Sequence, residues 1–448
     1  MLKKILFPLT ILFLLPCGVG AQQSADEATW RKEYEKRIAD TIAWRKKQKA
    51  ENPEDLYFSK PDFVVFRPAV EPEKLGDCYN DHFQVFDGCH GRMFALTCQA
   101  TCEGALDQHV TLFHSDDQGK TWSKPRVLAG PQTMTDDVPI ASWGFPLVSR
   151  SGRIYILYNQ YVPGKVSTLR QHTGIMAGIY SDDNGQTWSQ PQEVPIPRTS
   201  NDSPDTTIPP EWVVWQKPLR LAEGGKYLVG VTRYVAPQFH SKYRTVTEFI
   251  RFNNVDDDPQ PRDLRLDWMM TGDKVLHVGV HCEEPGIVKL PDGRLFALLR
   301  TGMGHPYWSV SSDGGENWTP PEKLLDKDGG KPFLHPVSPC PLYDWKGNEA
   351  GSGYYFALIH NRFDFNNKNP WQNRGPLYLI AGKFQPGAKQ PIWFTAEPKL
   401  FLSRPHNNSF YTSTTQVNGE TVLWYNDQKF YLLGKKIGPE WFEGVEID

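Results

Sequence analysis

Among the side chains of this 448-residue chain that could transfer protons or attack carbon, five are candidates for catalysis. An imidazole changes charge near neutral pH and suits proton transfer, whereas a tyrosine hydroxyl beside a carboxylate can act as a nucleophile. Together these chemistries predict cleavage of a glycosidic linkage, by acid–base elimination or by hydrolysis. The catalytic candidates are His82, His109, Tyr158, Glu284 and Tyr411.

Basic and aromatic residues accompany them. The arginine side chain presents a planar fork of donors to a carboxylate, and an indole ring stacks on the face of a sugar. We therefore expect the partner to be an acidic, uronic-acid-containing poly- or oligosaccharide. The substrate-binding candidates are Arg170, Arg233, Arg300, Arg362, Trp143 and Trp215.

Each candidate also has a purely structural interpretation. His82 could be a hydrogen-bonded polar residue at a strand start, His109 could cap a hairpin, and Glu284 could be a surface carboxylate. Tyr158 and Tyr411 could be aromatic residues of a channel wall, and the arginines could pair with nearby acids. The sequence leaves both interpretations open.

Three copies of the pattern Ser-x-Asp-x-Gly-x-x-Trp indicate the architecture. They begin at Ser115, Ser181 and Ser311, which fits a period of about 65 residues if one unit near residue 250 lacks the pattern. Each unit consists of short apolar runs separated by Gly-containing turns, as in a four-stranded blade. Within the pattern, the Asp should accept backbone N–H bonds, the Gly should take a positive φ, and the Trp should pack back onto its blade.

The predicted fold is therefore all-β: a six-bladed β-propeller over residues 59–448, with seven blades as the alternative. A strand near Phe63 to Pro68 is expected to complete the last blade and close the ring. The first strand of each blade lines the central channel, so side chains that open the first strands should converge on one pocket. Those side chains are His82, Trp143, Trp215, Glu284 and Tyr411.

The three repeats resemble the Asp-box, or BNR, repeats of the sialidase superfamily, from residue 76 to the end of the chain. The segment from Glu284-Pro285 to Arg300 resembles the sialidase segment that pairs a Glu with a carboxylate-binding Arg, and Tyr411 lies where that family has its nucleophilic Tyr. The resemblance implies a glycan-cleaving enzyme. The first blade differs, because His82-Phe83-Gln84 stands where sialidases have Arg-Ile-Pro, and a neutral His cannot provide a bidentate fork.

Three functions remain open. One is cleavage of an acidic glycan, with His and Tyr residues as acid and base; this set resembles propeller-fold polysaccharide lyases that act on rhamnose–glucuronate linkages, which usually have seven blades. The second is an exo-α-sialidase with Tyr411 as nucleophile and Glu284 as its partner. The third is a glycan-binding propeller without catalytic activity.

The N-terminus predicts export. Lys3 and Lys4 precede an apolar run and small residues that end at Ala21, so residues 1–21 are predicted to be a signal peptide and the protein to be secreted or periplasmic. A lipid anchor through Cys17 is the alternative. Residues 22–58 have apolar side chains at helical spacing and predict a helical extension. No later segment is apolar enough to span a membrane.

Charge and cysteine content limit the remaining possibilities. The net charge is −3 and basic residues are scattered, so we expect no nucleic-acid partner, and we expect a monomer. Six cysteines follow the signal segment, four of them within 25 residues, which predicts one or two local disulfides. The cysteines show no metal-site spacing, and we expect no metal and no other cofactor.

Overall fold

The computed structural model describes residues 60–446, apart from 69–75, 134–135, 166–168, 222–224, 241, 348–350, 368, 370–373 and 404–409, and five earlier positions. Those five positions are helical and exposed. The signal segment 1–21 and the rest of the predicted extension 22–58 lie outside the described residues. The five positions are Lys36, Ala39, Asp40, Ala43 and Lys46.

Short strands are the main regular secondary structure of the described chain, and the helices within residues 60–446 are single 3₁₀ turns. The strands are β1 (Phe63–Phe66), β2 (Tyr79–Asp87), β3 (Met93–Ala100), β4 (His109–Ser115), β5 (Arg126–Ala129), β6 (Ala141–Val148), β7 (Ile154–Tyr161), β8 (Gly174–Ser181), β9 (Gln192–Val194), β10 (Glu211–Val213), β11 (Leu219–Arg220), β12 (Tyr227–Tyr234), β13 (Thr245–Phe252), β14 (Leu266–Met269), β15 (Cys282–Lys289), β16 (Leu295–Thr301), β17 (Tyr307–Ser311), β18 (Glu322–Lys323), β19 (Leu342–Asp344), β20 (Tyr354–Ile359), β21 (Leu377–Phe384), β22 (Ile392–Phe394), β23 (Lys399–Leu402), β24 (Ser413–Val417), β25 (Glu420–Asp427) and β26 (Tyr431–Lys436). The 3₁₀ turns are Pro237–Phe239, Val255–Asp257, Pro261–Asp263, Gly272–Lys274 and Pro439–Phe442.

These strands form six antiparallel sheets, one for each blade. Blade 1 is β2 to β5, blade 2 is β6 to β9, blade 3 is β10 to β14, blade 4 is β15 to β18, and blade 5 is β19 to β23. Blade 6 combines β24, β25 and β26 with β1, which pairs with β26 as its outermost strand. The six-bladed prediction is therefore confirmed, including ring closure by the N-terminal strand, and seven blades are excluded.

Apolar residues on both faces of the sheets hold the blades together. Between blades 1 and 2, for example, Leu96 and Val110 pack with Ile156 and Ile179, all of them buried. A sheet that neighbouring blades cover on both faces has strands of nearly continuous apolar residues. The strand β3 is an example, because it is buried along its whole length. The alternation of strand and turn therefore forms each blade, and the neighbouring blades bury its apolar side chains.

The repeated pattern forms the hairpin between the third and fourth strands. In blade 1 the Ser115 hydroxyl accepts the N–H of Gly119 at 2.9 Å, and Asp117 accepts the N–H of Thr121 at 2.9 Å. The same bonds recur in blades 2 and 4. Two of the tryptophans meet an aromatic ring of the preceding blade: Trp122 lies edge-on to Trp424 of blade 6 with ring centroids 5.7 Å apart, and Trp318 of blade 4 stacks on Phe249 of blade 3 at 4.3 Å. The repeat is thus a joint between blades.

The cysteines correct the disulfide prediction. Cys89, Cys98, Cys282 and Cys340 are free thiols, so two local bridges do not form among the first four cysteines. The reason is partly geometric, because Cys98 lies in the middle of β3 and its Sγ accepts the backbone N–H of Trp143 at 2.8 Å. No helix within the described residues is long and apolar enough to cross a membrane.

Candidate active site

Three first strands present their site residues from the same local distortion. β2, β6 and β15 each contain a bulge, and the residue in each bulge has a left-handed backbone: His82 at φ 57°, Trp143 at φ 56° and Glu284 at φ 50°. Such a conformation costs a non-glycine residue about 1–3 kcal/mol and occurs mostly where function requires it. Because a bulge redirects a side chain, three blades place one residue each at the propeller axis.

Glu284, Arg300 and Tyr411 meet in a buried cluster. The Tyr411 hydroxyl donates to Glu284 Oε1 at 2.9 Å, and Arg300 Nη1 donates to Glu284 Oε2 at 2.6 Å. Arg300 Nη1 also lies 3.3 Å from the Tyr411 hydroxyl. The structure thus joins a hydroxyl, a carboxylate and a guanidinium from blades 4 and 6, and a carboxylate in hydrogen-bond contact with a tyrosine can remove its proton.

The two adjacent glutamates differ electrostatically. Burial raises the pKa of Glu284, and this effect together with the charge of Glu283 outweighs the nearby Arg300. Burial also opposes ionisation of Glu283, but Arg300 and His281 outweigh it and lower the pKa of Glu283 to about 2. Burial and Glu284 raise the pKa of Tyr411. Glu283 therefore balances the charge of Arg300, while Glu284 retains affinity for a proton, as a general base requires.

His82 and two tryptophans line the cluster. The imidazole of His82 lies 5.5 Å from Trp143 and 6.4 Å from Tyr411, measured between ring centroids. Trp215 meets Tyr411 edge-on at 5.9 Å. Burial lowers the pKa of His82 to about 3, so the ring is neutral at physiological pH. Its Nε2 lies 3.0 Å from the amide nitrogen of Gln84. This wall offers aromatic faces and a neutral imidazole.

The chain following Trp215 closes the channel below the site. The Lys217 ammonium donates to Thr414 O at 2.6 Å and to Val85 O at 3.3 Å, which lie in blades 6 and 1. The amide of Gln216 donates to Leu342 O of blade 5 at 3.2 Å. Blade 3 therefore connects across the axis to three other blades and gives the pocket a fixed floor.

The structure places four predicted residues outside the Tyr411 cluster. Tyr158 lies in the apolar core between blades 1 and 2. The buried Arg233 pairs with Asp202 and Glu248, both at 2.8 Å, and stacks over Trp268. The other two are Arg362, which is exposed and donates to Gly375 O, and Arg170, which is half-buried just before β8.

His109 opens the third strand of blade 1, as its sequence position suggests. Its Nδ1 lies 2.6 Å from Asp107 O, and burial lowers its pKa. The ring is therefore held by the backbone of the loop that precedes it. This is a structural environment, but the contact is with the preceding loop and not with the hairpin that His109 could have capped.

Four charged or imidazole side chains near the cluster were not among the candidates. All come from loops that join the second and third strands, which open on the same face as the starts of the first strands. Lys429 lies 2.8 Å from Asp81 and 3.2 Å from Glu103, with its ammonium 5.2 Å from the Tyr411 ring centroid. The topological rule predicts the face on which these loops open, but not which of their residues reach the axis. The four side chains are Glu103, His172, Arg374 and Lys429.

His172 extends the aromatic wall and Arg374 extends the cationic side. His172 lies 5.6 Å from Trp143 and stacks on Tyr234 at 4.2 Å, and burial lowers its pKa to about 4. Arg374 donates to Val337 O at 2.8 Å. Burial and the neighbouring Arg300 lower the pKa of Arg374 to about 10. Among the described residues, no group of three or more His, Cys, Asp or Glu side chains is arranged to hold a metal ion.

Comparison with known proteins agrees with this architecture. The model of the BNR repeat-like domain family matches residues 91–429. Among solved structures, the NanB sialidase from Streptococcus pneumoniae has a TM-score of 0.59 at 11% identity, covering 84% of this chain and 71% of that one. The intramolecular trans-sialidase from Ruminococcus gnavus has a TM-score of 0.55 at 14% identity, covering 86% and 99%.

A protein of unknown function from Dyadobacter fermentans has a TM-score of 0.55 at 14% identity, covering 84% of this chain and 96% of that one. No curated protein matches the sequence. At these identities the structural matches establish the fold and not the substrate. This chain belongs to the BNR repeat-like domain family and has the six-bladed propeller fold of the sialidases.

Proposed function

We propose that this protein is a glycoside hydrolase that cleaves an acidic glycan, with Tyr411 as nucleophile and Glu284 as its base. The observation that carries the proposal is the buried contact of 2.9 Å from the Tyr411 hydroxyl to Glu284, with Arg300 bound to the same carboxylate. Tyrosine nucleophiles assisted by a carboxylate occur among glycosidases of this fold. A structural tyrosine would not require two ionisable partners at the axis.

The proposed reaction has two steps. Glu284 takes the phenolic proton as Tyr411 Oη bonds to the anomeric carbon, the glycosidic C–O bond breaks, and the leaving oxygen takes a proton from Glu103. A water molecule then gives a proton to Glu103 and attacks the anomeric carbon. The bond to Tyr411 breaks, and Glu284 returns the proton. Glu103 suits this role by its position, because its side chain is partly exposed and its Oε2 lies 3.2 Å from the Lys429 ammonium, which is 5.2 Å from the Tyr411 ring centroid.

Charge and shape support an acidic sugar. Arg300 is buried and Arg374 is partly buried, and the charge of Arg300 lowers the pKa of Arg374. A bound carboxylate would relieve that repulsion. Trp143 and Trp215 pack in one cluster with Tyr411 and supply aromatic faces. His82 stands where sialidases have an arginine, so this site has one cation fewer. This favours a substrate whose remaining contacts are neutral hydroxyl groups.

The elimination alternative receives less support from the geometry. It needs a base beside the sugar C5 proton and a second group to protonate the leaving oxygen. Tyr158 lies in the core between blades, and His109 is held by its own loop. His82, whose pKa is about 3, is a weak base.

A trapping experiment tests the proposal. Purified protein would be incubated with aryl uronosides, aryl sialosides and acidic polysaccharides, while reducing ends and the ultraviolet absorbance of a C4–C5 double bond are followed. We expect reducing ends without the double bond. A fluorinated, activated form of the cleaved sugar should label Tyr411, as found by peptide mass spectrometry, and should leave Tyr411→Phe unlabelled. Appearance of the double bond, or labelling of another residue, would reject this mechanism.

A further inference from the structure

Lys429 occupies a strained turn next to the proposed nucleophile. The turn joins β25 to β26, and both Gln428 and Lys429 have left-handed backbones, with φ of 59° and 54°. Two consecutive positive φ values are characteristic of a tight hairpin turn that normally contains Asn or Gly. A lysine at this position raises the conformational free energy of the folded chain, because positive φ is strained for a residue with a side chain. The backbone is held in place because Lys429 O accepts the N–H of Asn80 at 2.7 Å.

The ammonium of Lys429 connects two carboxylates to the Tyr411 ring. Its Nζ lies 2.8 Å from Asp81 Oδ2 and 3.2 Å from Glu103 Oε2. It also lies 5.2 Å from the ring centroid of Tyr411 and 5.6 Å from that of Tyr79, within cation–π range. One cation therefore bridges the loop that carries Glu103 and the strand entry that carries the proposed nucleophile.

Asp81 fixes this bridge relative to Tyr411. Its Oδ2 accepts the Tyr79 hydroxyl at 2.6 Å, and its Oδ1 accepts the amide of Asn426 at 2.8 Å. The amide oxygen of Asn426 in turn accepts the backbone N–H of Tyr411 at 3.0 Å. The fully buried Asp81 needs a counter-ion, and Lys429 provides one. That requirement does not account for Glu103, whose side chain is 30% exposed and is the second carboxylate at the same ammonium.

We propose that Lys429 is a positioning residue: through its bridge to Asp81 it holds the Glu103 carboxylate at Tyr411, where Glu103 exchanges protons with the leaving oxygen and with water. This inference rests on the glycoside hydrolysis proposed above. It assigns to Lys429 a role that the fold alone does not require, because the outer three strands of blade 6 pair without its side chain. It also makes Lys429 a determinant of the protonation state of Glu103.

Several charged groups surround Glu103. Lys429 and Arg374 favour its ionised form, as does a protonated His172, while Asp81 is the nearby anion that opposes it. Burial raises the pKa of Glu103, but Lys429 and the other cations outweigh burial and the net pKa is lowered. Removing the ammonium should raise the pKa of Glu103. The protonated form of Glu103 would then persist to higher pH, and the alkaline limb of the rate profile would move upward.

The test compares Lys429→Met and Lys429→Arg with wild type on whichever acidic aryl glycoside the wild-type protein cleaves. For Lys429→Met we expect kcat to fall about tenfold with KM within about twofold, and the alkaline limb of kcat/KM to shift to higher pH. Lys429→Arg should restore the limb towards its wild-type position. Lys436→Met is the matched control, because Lys436 forms an exposed pair with Glu420 on the same blade. It should leave both kinetic constants and the pH profile unchanged.

A measurement that does not depend on turnover separates positioning from folding. Protein labelled with ¹³C at glutamate carboxyl groups would be titrated by NMR, with the Glu103 signal assigned from Glu103→Gln. We expect the Glu103 midpoint to be higher in Lys429→Met than in wild type. An unchanged midpoint, or a lower melting temperature with an unchanged pH profile, would overturn the positioning role. A wild-type protein that cleaves no substrate in the panel would overturn the proposed function, and with it the catalytic purpose of this bridge.

Discussion

The two faces of this propeller differ in whether their blades repeat the same residues. On one face, three hairpins repeat the same bonds, so that Ser115 and Ser311 each accept a Gly N–H at 2.9 Å. On the other face the three bulged first strands carry different residues at the axis: blade 1 has His82, blade 2 Trp143 and blade 4 Glu284. The backbone distortion is nevertheless common to these three positions.

This contrast shows how one repeated unit serves two purposes. The repeated hairpins lie where blades 1, 2 and 4 meet the blade before them, and the same bonds serve this purpose in all three copies. The variable face shares only the bulge, which brings a side chain to the axis whatever its chemistry. Changes on the variable face should therefore affect chemistry more than folding, and changes on the repeated face should do the reverse.

The largest expected effect tests the variable face. Tyr411→Phe should reduce kcat about 10³-fold or more, because it removes the nucleophilic oxygen and leaves the ring in place. The measurement is initial rate on the cleaved aryl glycoside, together with the thermal unfolding midpoint.

Tyr355→Phe is the matched control for that experiment. Tyr355 is a buried tyrosine whose hydroxyl donates to Lys289 O at 2.8 Å between blades 4 and 5. It should keep wild-type kcat. Comparable losses of rate in both variants would contradict the assignment of Tyr411.

The next effect tests the repeated face. Trp318 is buried, donates from Nε1 to Gly315 O at 3.0 Å and stacks on Phe249 of the preceding blade. Trp318→Ala should reduce the free energy of unfolding by about 3–5 kcal/mol, as is typical when a large buried side chain is removed. Denaturant unfolding measures the loss. KM at a temperature where the variant is folded should not change, and a changed KM would show that the two faces are coupled.

Most of the fold could be predicted from the repeats. The serines of the three copies mark a common period, which gave the blade length and located a blade without the pattern. The need to cover two sheet edges predicted that β1 would pair in the last blade, as it does with β26. The direction in which the tryptophans pack could not be read this way, because a pattern within one hairpin does not specify whether its partner belongs to the same blade.

The site was only partly predictable, for reasons that differ between residues. Glu284 and Tyr411 stand at starts of first strands, so a topological rule finds them. Arg233 also lies on the correct face, but its partner Asp202 comes from a separate loop, and non-local pairing leaves no trace in the sequence. The prediction for Tyr158 depends on which face of its strand the side chain occupies, and a shift of one residue changes that face.

The site residues in loops between second and third strands were the hardest to predict from the sequence. In blade 6 that connection comprises residues 428–430, whereas in blade 5 it comprises 360–376. Without a common length, the topology predicts the face of each loop but not which residue reaches the axis. Lys429 and Arg374 are the clearest examples.

A pH experiment sharpens the comparison between the faces. Burial lowers the pKa of His172 on the variable face to about 4, whereas hydrogen bonds from Thr121 lower the pKa of Asp117 on the repeated face to about 2. Below pH 6.5 the unfolded chain protonates His172 while the folded chain does not, so stability falls as the pH drops from 6.5 to 4, by up to about 3 kcal/mol. Asp117 stays ionised across that range, and its contribution is lost only towards pH 2.

The measurement is the unfolding midpoint at several values of pH between 7 and 4. His172→Gln should reduce the slope in this window, since it removes one buried histidine that titrates there, whereas His82, whose pKa burial lowers to about 3, still contributes. Equal slopes in wild type and His172→Gln would exclude His172 as a source of acid sensitivity.

The smallest expected effect concerns Tyr158, at the boundary between the site and the blade core. Its hydroxyl is buried and has no hydrogen-bond partner among the described residues. Because an unsatisfied buried hydroxyl already costs stability, Tyr158→Phe should leave the unfolding midpoint unchanged or slightly higher. The rate of glycan cleavage should stay within about twofold of wild type, since the ring packs with Leu96 and Val110 and not with Tyr411. A loss of about 100-fold would mean that this hydroxyl acts in proton transfer, and the elimination mechanism would then be the better account.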